Sequence, residues 1–154
     1  MDPIERVENF LHKYDPELEV IVLEENTATA PLAARALGTE VGQIAKSILF
    51  KTRKDEYLMV VAAGDVRLDS KRIKEAVGQR VRMARAEEVE AVTGYKPGGV
   101  CPFDLTEEID IYLDVSLKKY DLVYAAAGTA NTALPIAYEQ LMEITGGKPC
   151  NFSE

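Results

Sequence analysis

The chain has 154 residues, of which 47% are hydrophobic and 29% are charged, and its formal net charge at pH 7 is −8. This composition predicts a single domain over residues 1–154 with one sizeable core. Proteins that coat nucleic acid without sequence preference need a basic surface, so the net charge argues against that class. The N-terminal residues contain no long apolar run, so we expect neither a signal peptide nor a membrane span, and we expect a cytoplasmic location.

The first third of the chain predicts two helices separated by a strand. Apolar residues at three- and four-residue spacings predict an amphipathic helix over 3–14. A short β-branched strand over 17–24 follows. A compact helix over 29–38 then has Thr29 as its N-cap and Gly38 as its end.

The middle of the chain predicts strands at the centre of a sheet. Residues 45–53 and 56–64 read as a hairpin or as adjacent strands, because a short polar turn joins two apolar runs. A capped helix over 68–80 comes next, then a short strand over 81–84 and a helix over 86–94.

The last third begins with an ordered loop over residues 95–105, which is rich in proline and glycine. Alternation over 108–116 predicts a strand whose Asp110 and Asp114 face water. Two further strands and a closing helix are predicted over 121–128, 132–136 and 137–147. Helices and strands mix without a regular βαβ repeat, so the predicted fold is α/β of the mixed α+β kind, with a strongly curved mixed sheet and helices packed around it.

Basic residues concentrate between positions 65 and 85, where seven basic residues stand beside three acidic ones. They form either a local phosphate-contacting face or the solvated side of a surface helix. The seven are Arg67, Lys71, Arg72, Lys74, Arg80, Arg82 and Arg85.

Common catalytic motifs are absent from the sequence. It contains neither a G-x-x-x-x-G-K-[ST] loop nor a G-x-G-x-x-G turn. His12, the single histidine, lies on the polar side of the first helix and is a poor base for a serine or cysteine triad. Cys101 and Cys150 show no C-x-x-C spacing and predict reduced thiols, and a zinc site would lack ligands. Cys101 is either a nucleophile or a packed small thiol.

Lys46 is the most informative residue, because it interrupts the apolar run "VGQIAKSILFKT". Strand alternation places it on one face with Ile48 and Phe50, opposite Ser47 and its neighbours. Removing an ammonium from water is costly unless it has a partner. Lys46 therefore either marks the start of a pocket or reaches solvent from an edge strand.

Two small-residue loops are further candidates. Gly98 and Gly99 could turn their N–H groups toward a ligand, or they could form an ordinary tight turn. Gly128, Thr129 and Asn131 begin a polar cluster that could line a cavity, or could close a turn through its own side chains.

Three segments together, "VGQIAKSILF", "TGYKPGGVCPFDL" and "YAAAG", resemble the signatures of the YbaK/EbsC family of aminoacyl-tRNA deacylases. This family is related to the editing domain inserted in bacterial prolyl-tRNA synthetases. The resemblance covers nearly the whole chain. It implies a curved, partly barrel-like mixed sheet surrounded by helices. It also implies hydrolysis of an amino acid wrongly esterified to the 3′ end of a transfer RNA, with no metal or cofactor.

The resemblance also implies roles for single positions. Lys46 matches the functional lysine of the family, and Gly98 and Pro102 match its G-x-x-x-P loop, with Gly99 between them. The implied substrate-binding residues are Thr29, Ser47, Pro102, Gly128, Thr129 and Asn131. Cysteine-directed members carry serine and aspartate where this chain has Ala126 and Ala133, so the resemblance favours another small amino acid, on a tRNA(Pro)-type or related substrate.

The implied mechanism needs hydrogen-bond donors that stabilise negative charge rather than a strong base. N–H groups of Gly98 and Gly99 would stabilise the oxyanion, and a protonated Lys46 would hold the terminal phosphate or the carbonyl. The adenosine hydroxyl would orient the attacking water. The expected partners are the CCA end and acceptor stem of aminoacyl-tRNA, with a synthetase as a further candidate and neither DNA nor membrane. The alternatives are a noncatalytic module that binds tRNA or a synthetase, and a hydrolase or binder of small aminoacyl esters or nucleotides.

Overall fold

The structure, a computed structural model, describes residues 2–154. Its helices are α1 (Pro3–His12), α2 (Ala30–Leu37), α3 (Ser70–Val77), α4 (Ala86–Thr93) and α5 (Tyr138–Thr145). Its strands are β1 (Ile21–Val22), β2 (Ile44–Thr52), β3 (Tyr57–Ala63), β4 (Val81–Met83), β5 (Asp110–Asp114), β6 (Val123–Ala125), β7 (Thr132–Ile136) and β8 (Lys148–Cys150). Short 3₁₀ turns cover Val41–Gln43 and Val115–Lys119. None of the helices within residues 2–154 combines the length and apolar character needed to cross a bilayer.

Local sequence sets the helix ends. The side chains of Asp2, Thr29 and Asp69 accept hydrogen bonds from the first-turn N–H groups of α1, α2 and α3, which satisfies donors that have no partner within the helix. Gly38 and Gly78 end α2 and α3 in the left-handed conformation. The N-cap and helix end predicted for α2 are therefore confirmed.

The eight strands form one open mixed sheet in the order β1-β7-β6-β2-β3-β5-β8, with β4 attached to β2 outside this path. β2 and β3 pair antiparallel along their length, from Ala45 opposite Ala63 to Lys51 opposite Tyr57. β6 runs parallel to the beginning of β2, and β4 runs antiparallel to its end. The predicted mixed α+β class and the central position of the two strands are confirmed.

Helices cover both faces of the sheet. On one face, Val7 and Leu11 of α1 and Leu141 of α5 pack on Ala45, Val61 and the other core-facing strand residues. On the opposite face, Ile73 of α3 packs on Phe50 and Val60, and two alanines of α2 pack on Ile44. Lys46 lies between these two smaller clusters, because even-numbered residues of β2 share that face.

Three sequence predictions are corrected by the tertiary structure. The strand predicted over 17–24 is only the two-residue β1. The chain does not end with a helix, because β8 follows α5 and pairs with β5. Asp114 does not face water: its side chain is fully buried and accepts the N–H groups of Ser116 at 3.1 Å and Phe152 at 2.6 Å. Asp110 is exposed, as predicted.

Candidate functional site

A cavity of about 350 Å³ lies where the sheet divides along one edge of β2. β6 occupies this edge at Ile44 and Ala45, and β4 occupies it from Phe50 onward, so among residues 2–154 no strand pairs with positions 46–48 on this side. The walls come from residues within 27–37, 44–49, 83–89, 97–100 and 124–133. Most of these residues are alanines or aliphatic side chains, so the few polar groups among them stand out.

Lys46 lines this cavity and is partly buried. Its Nζ donates a hydrogen bond of 2.5 Å to the carbonyl of Val66. Burial lowers the pKa of the Lys46 ammonium from its ordinary value, and the negative charge of Asp65 opposes that shift. The ammonium is therefore bound by a main-chain carbonyl rather than extended freely into solvent.

Of the two loop glycines, only Gly98 lines the cavity. The N–H of Gly99 donates to the carbonyl of Lys96 at 3.0 Å and closes a turn. A Cβ at Gly99 would lie 2.7 Å from the backbone of Gly128 and Thr129. Gly99 thus allows two loops to approach closely, and the expectation that its N–H would stabilise an oxyanion does not fit this geometry.

The cluster at residues 128–132 closes its own turn. The Thr129 hydroxyl donates to Asn131 Oδ1 at 2.7 Å, and Asn131 Nδ2 donates to the carbonyl of Leu23 at 3.1 Å. Thr132 accepts from the N–H of Ala127 and donates to the carbonyl of Thr129. Gly128, Thr129 and Asn131 are absent from the cavity wall, so here the structure supports the turn alternative.

Two other predicted binding residues, Thr29 and Ser47, do line the cavity. Thr29 Oγ1 already accepts the N–H of Leu32 at 3.3 Å as the cap of α2. Ser47 is partly buried, and within residues 2–154 its hydroxyl has no hydrogen-bond partner. Ala126 and Ala133 also lie in the wall, where they present only methyl groups.

Pro102 and Cys101 lie away from this cavity. Pro102 lines a different groove together with Phe10 and Asp104. Cys101 is fully buried in the main core, and burial raises the pKa of its thiol to about 12. The packed-thiol alternative therefore agrees with the structure.

A residue that the sequence analysis missed, Glu88, holds the β4–α4 wall of the cavity. Its carboxylate accepts two hydrogen bonds from Arg82, at 2.9 and 3.0 Å, and one from the N–H of Arg85. Lys51 and Tyr57 reach the same carboxylate from β2 and β3, both at 3.1 Å. The pairing of an N-terminal helix residue with a glutamate three positions later was the available sequence signal.

Across the part of the chain from Asp2 to Glu154, no three histidine, cysteine or acidic side chains converge as a set of metal ligands. His12 Nε2 contacts the carbonyl of Leu18 at 2.9 Å and does not line the cavity.

Comparisons with known proteins place this geometry in a family. Over its whole length the chain superimposes with a TM-score of 0.93 on a solved structure described as a "putative trans-editing enzyme for prolyl tRNA synthetase"; the sequences are 34% identical, and the match covers 98% of that chain. YwhH of Bacillus subtilis (strain 168), a protein named as uncharacterized, is 35% identical over 145 residues, which is 94% of this chain and 92% of that protein. The "Putative Cys-tRNA(Pro)/Cys-tRNA(Cys) deacylase EbsC" of Enterococcus faecalis (strain ATCC 700802 / V583) is 29% identical over 125 residues, covering 80% of this chain and 76% of that protein.

The family model described as "Aminoacyl-tRNA editing domain" matches residues 24–144, a range that contains β2, the glycine loop and every wall of the cavity. The resemblance inferred from the three sequence segments is confirmed, and the chain belongs to the aminoacyl-tRNA editing domain family.

Proposed function

We propose that this protein is a free-standing editing deacylase, which hydrolyses the ester bond between a wrongly attached small amino acid and the 3′ end of a transfer RNA. The observation that carries the proposal is the position of Lys46. Lys46 is a partly buried residue in the wall of a cavity made mostly of small apolar residues, on the segment of β2 between β6 and β4, and its ammonium is bound to the carbonyl of Val66. An anionic or strongly polarised ligand would complete the surroundings of such a cation.

The chemistry requires positioning and charge stabilisation. An aminoacyl ester is already reactive toward water, so the protein must mainly stabilise the negative charge that grows on the carbonyl oxygen. Lys46 is the cation for the carbonyl or the terminal phosphate, and Gly98 is the loop residue whose main chain reaches the cavity. The neighbouring adenosine hydroxyl orients the attacking water. No step in this proposal uses a metal, a histidine or a cysteine.

The lining supports a small amino acid. EbsC is named for cysteinyl-tRNA substrates. In this chain Ala126 and Ala133 offer only methyl groups at the cavity wall, and the hydroxyl of Thr132 is used within its turn. Alanine, serine or threonine on a tRNA(Pro)-type acceptor are the substrates to test first.

The transfer RNA would contact α3 as well as the cavity. Ile73 anchors α3 on the same sheet face that carries Lys46, while Lys71, Lys74 and Arg80 are exposed. These three exposed cations would contact acceptor-stem phosphates despite the net charge of −8, and such binding weakens as salt rises. The site of action would be the cytoplasm, where aminoacyl-tRNA is used.

The test is release of amino acid from a panel of transfer RNAs charged with alanine, serine, threonine or cysteine. We expect Lys46→Ala to lower kcat/KM at least a hundredfold on the preferred substrate, a loss typical of removing a group that stabilises an oxyanion. Lys54→Ala, which removes an exposed lysine from the turn after β2, is the matched control and should act like the wild type. Salt-dependent binding of uncharged transfer RNA without turnover by the wild type would favour the noncatalytic binding module instead.

A further inference from the structure

The hydrogen bonds of β2 show which way the N–H and C=O groups of each of its residues are directed. The N–H of Thr52 donates at 2.8 Å to the carbonyl of Glu56, the residue just before β3. Even-numbered residues of β2 therefore direct their N–H and C=O groups toward β3. The N–H of Ala84 donates to the carbonyl of Leu49 at 2.9 Å, so odd-numbered residues direct theirs toward β4 and β6. Ser47 is odd-numbered and lies between the parts of β2 that those strands pair with.

Both main-chain polar groups of Ser47 therefore face the cavity. Within residues 2–154 neither its N–H nor its C=O has a main-chain hydrogen-bond partner, whereas the carbonyl of the next odd-numbered residue, Leu49, accepts from Ala84. Main-chain groups beside apolar walls are costly to leave unpaired, and more than nine in ten buried ones are satisfied. An adjacent donor and acceptor at an open strand edge is the arrangement that binds an extended peptide segment.

We propose that the aminoacyl group of the substrate pairs with Ser47 as one residue of a neighbouring antiparallel strand would, at the unpaired part of the β2 edge. Its α-ammonium donates to the carbonyl of Ser47, and its ester carbonyl accepts from the N–H of Ser47. This inference rests on the proposed function. The atoms N–Cα–C=O of an aminoacyl ester are the same as those of a strand residue, so they match the closely spaced pair of hydrogen bonds in an antiparallel ladder.

This pairing also sets the direction of the substrate side chain. Residues directly opposite in an antiparallel pair carry their side chains on the same face of the sheet. The side chain of an L-aminoacyl group would therefore lie on the face of the Ser47 hydroxyl, and Lys46 would act from the opposite face. Any α-amino acid satisfies the two main-chain bonds, so selection among amino acids is left to the walls around the side chain.

A nonhydrolysable probe tests the contact without turnover. The probe is 3′-alanylamino-3′-deoxyadenosine, and its matched control is the 3′-propionylamino compound, which lacks the α-amine. We expect the alanyl probe to shift the amide NMR signal of Ser47 and to slow its hydrogen exchange at least tenfold, and to bind at least tenfold more tightly than the control. Absence of binding, equal affinity of the two compounds, or binding that leaves the Ser47 amide unchanged would overturn the proposal.

A proline scan of two adjacent residues gives an independent test. Proline removes the N–H, which a strand tolerates only where that N–H is not in the ladder. We expect Ser47→Pro to fold and to hydrolyse charged transfer RNA at least tenfold more slowly than Ser47→Ala, while Ile48→Pro loses a bond to β3 and unfolds. Equal rates for Ser47→Pro and Ser47→Ala, or unfolding of Ser47→Pro, would contradict the pairing. A wild type without activity on any charged transfer RNA would contradict the deacylase function alone, because the probe experiment needs no turnover.

Discussion

Replacing Gly99 by alanine should destabilise the protein through a backbone collision between two loops. The added Cβ would lie 2.7 Å from the carbonyl carbon and oxygen of Gly128 and from the Cα of Thr129, whereas ordinary contacts are 3.4–4 Å. The φ of Gly99 is outside the left-handed region, so alanine adds no backbone strain there. The whole effect must come from the loops moving apart.

The expected cost is about 2–4 kcal/mol of unfolding free energy. Overpacking against groups that cannot rotate away costs about 1–3 kcal/mol. Separation of the loops also weakens the 3.0 Å hydrogen bond from the N–H of Gly128 to the carbonyl of Gly99, worth about 1 kcal/mol. Because Gly98 lines the cavity, the same movement should raise KM for charged transfer RNA more than it lowers kcat.

Urea unfolding followed by circular dichroism measures this cost, with Gly78→Ala as the matched control. Gly78 has a φ of +80°, and a Cβ there would meet nothing within 4 Å, so alanine adds only left-handed strain of about 1–2 kcal/mol. If Gly99→Ala costs less than Gly78→Ala, or leaves KM unchanged, the close approach of the two loops does not determine the shape of the cavity.

Four further results are expected. Asp114→Ala should cost about 3–5 kcal/mol of unfolding free energy, measured in urea, because the buried N–H of Phe152 and the partly buried N–H of Ser116 lose their charged acceptor; a loss below about 1 kcal/mol would refute this. Hydrogen bonds from Arg82 and from the N–H of Arg85 hold the pKa of Glu88 well below its usual range. The stabilisation by the ionised Glu88 is therefore present at neutral pH and is lost as the pH falls below the ordinary carboxylate pKa. The difference in unfolding free energy between the wild type and Glu88→Gln should therefore narrow from pH 7 to pH 3, and a constant difference would contradict the assignment. Iodoacetamide at pH 8 should alkylate Cys101 only as urea unfolds the protein, and rapid labelling without urea would show that the thiol is accessible. Replacing Lys71 and Lys74 together by alanine should reduce the slope of log kcat/KM against the logarithm of the salt concentration by about 1–2 in magnitude. An unchanged slope would exclude phosphate contacts by α3.

The sequence alone determined the local elements and the family. Cap residues and three- to four-residue apolar spacings predicted the five helices, because those signals act within one or two helical turns. Alternation along β2 placed Lys46 opposite Ser47, because a strand directs successive side chains to opposite faces. Three short segments were enough to identify the editing-domain family.

Only the tertiary structure decided which of these residues meet and what each main-chain group does. Asp114 alternates like a solvent-facing residue, yet the C-terminal segment returns along β5 and buries it. Gly98 and Gly99 are indistinguishable in the sequence, but contact with the loop at Gly128 makes one a cavity residue and the other a packing residue. The open edge at Ser47 exists because β6 and β4 share one side of β2 without meeting. Strand pairing between segments far apart in the chain creates that gap, and no local pattern of residue types encodes it.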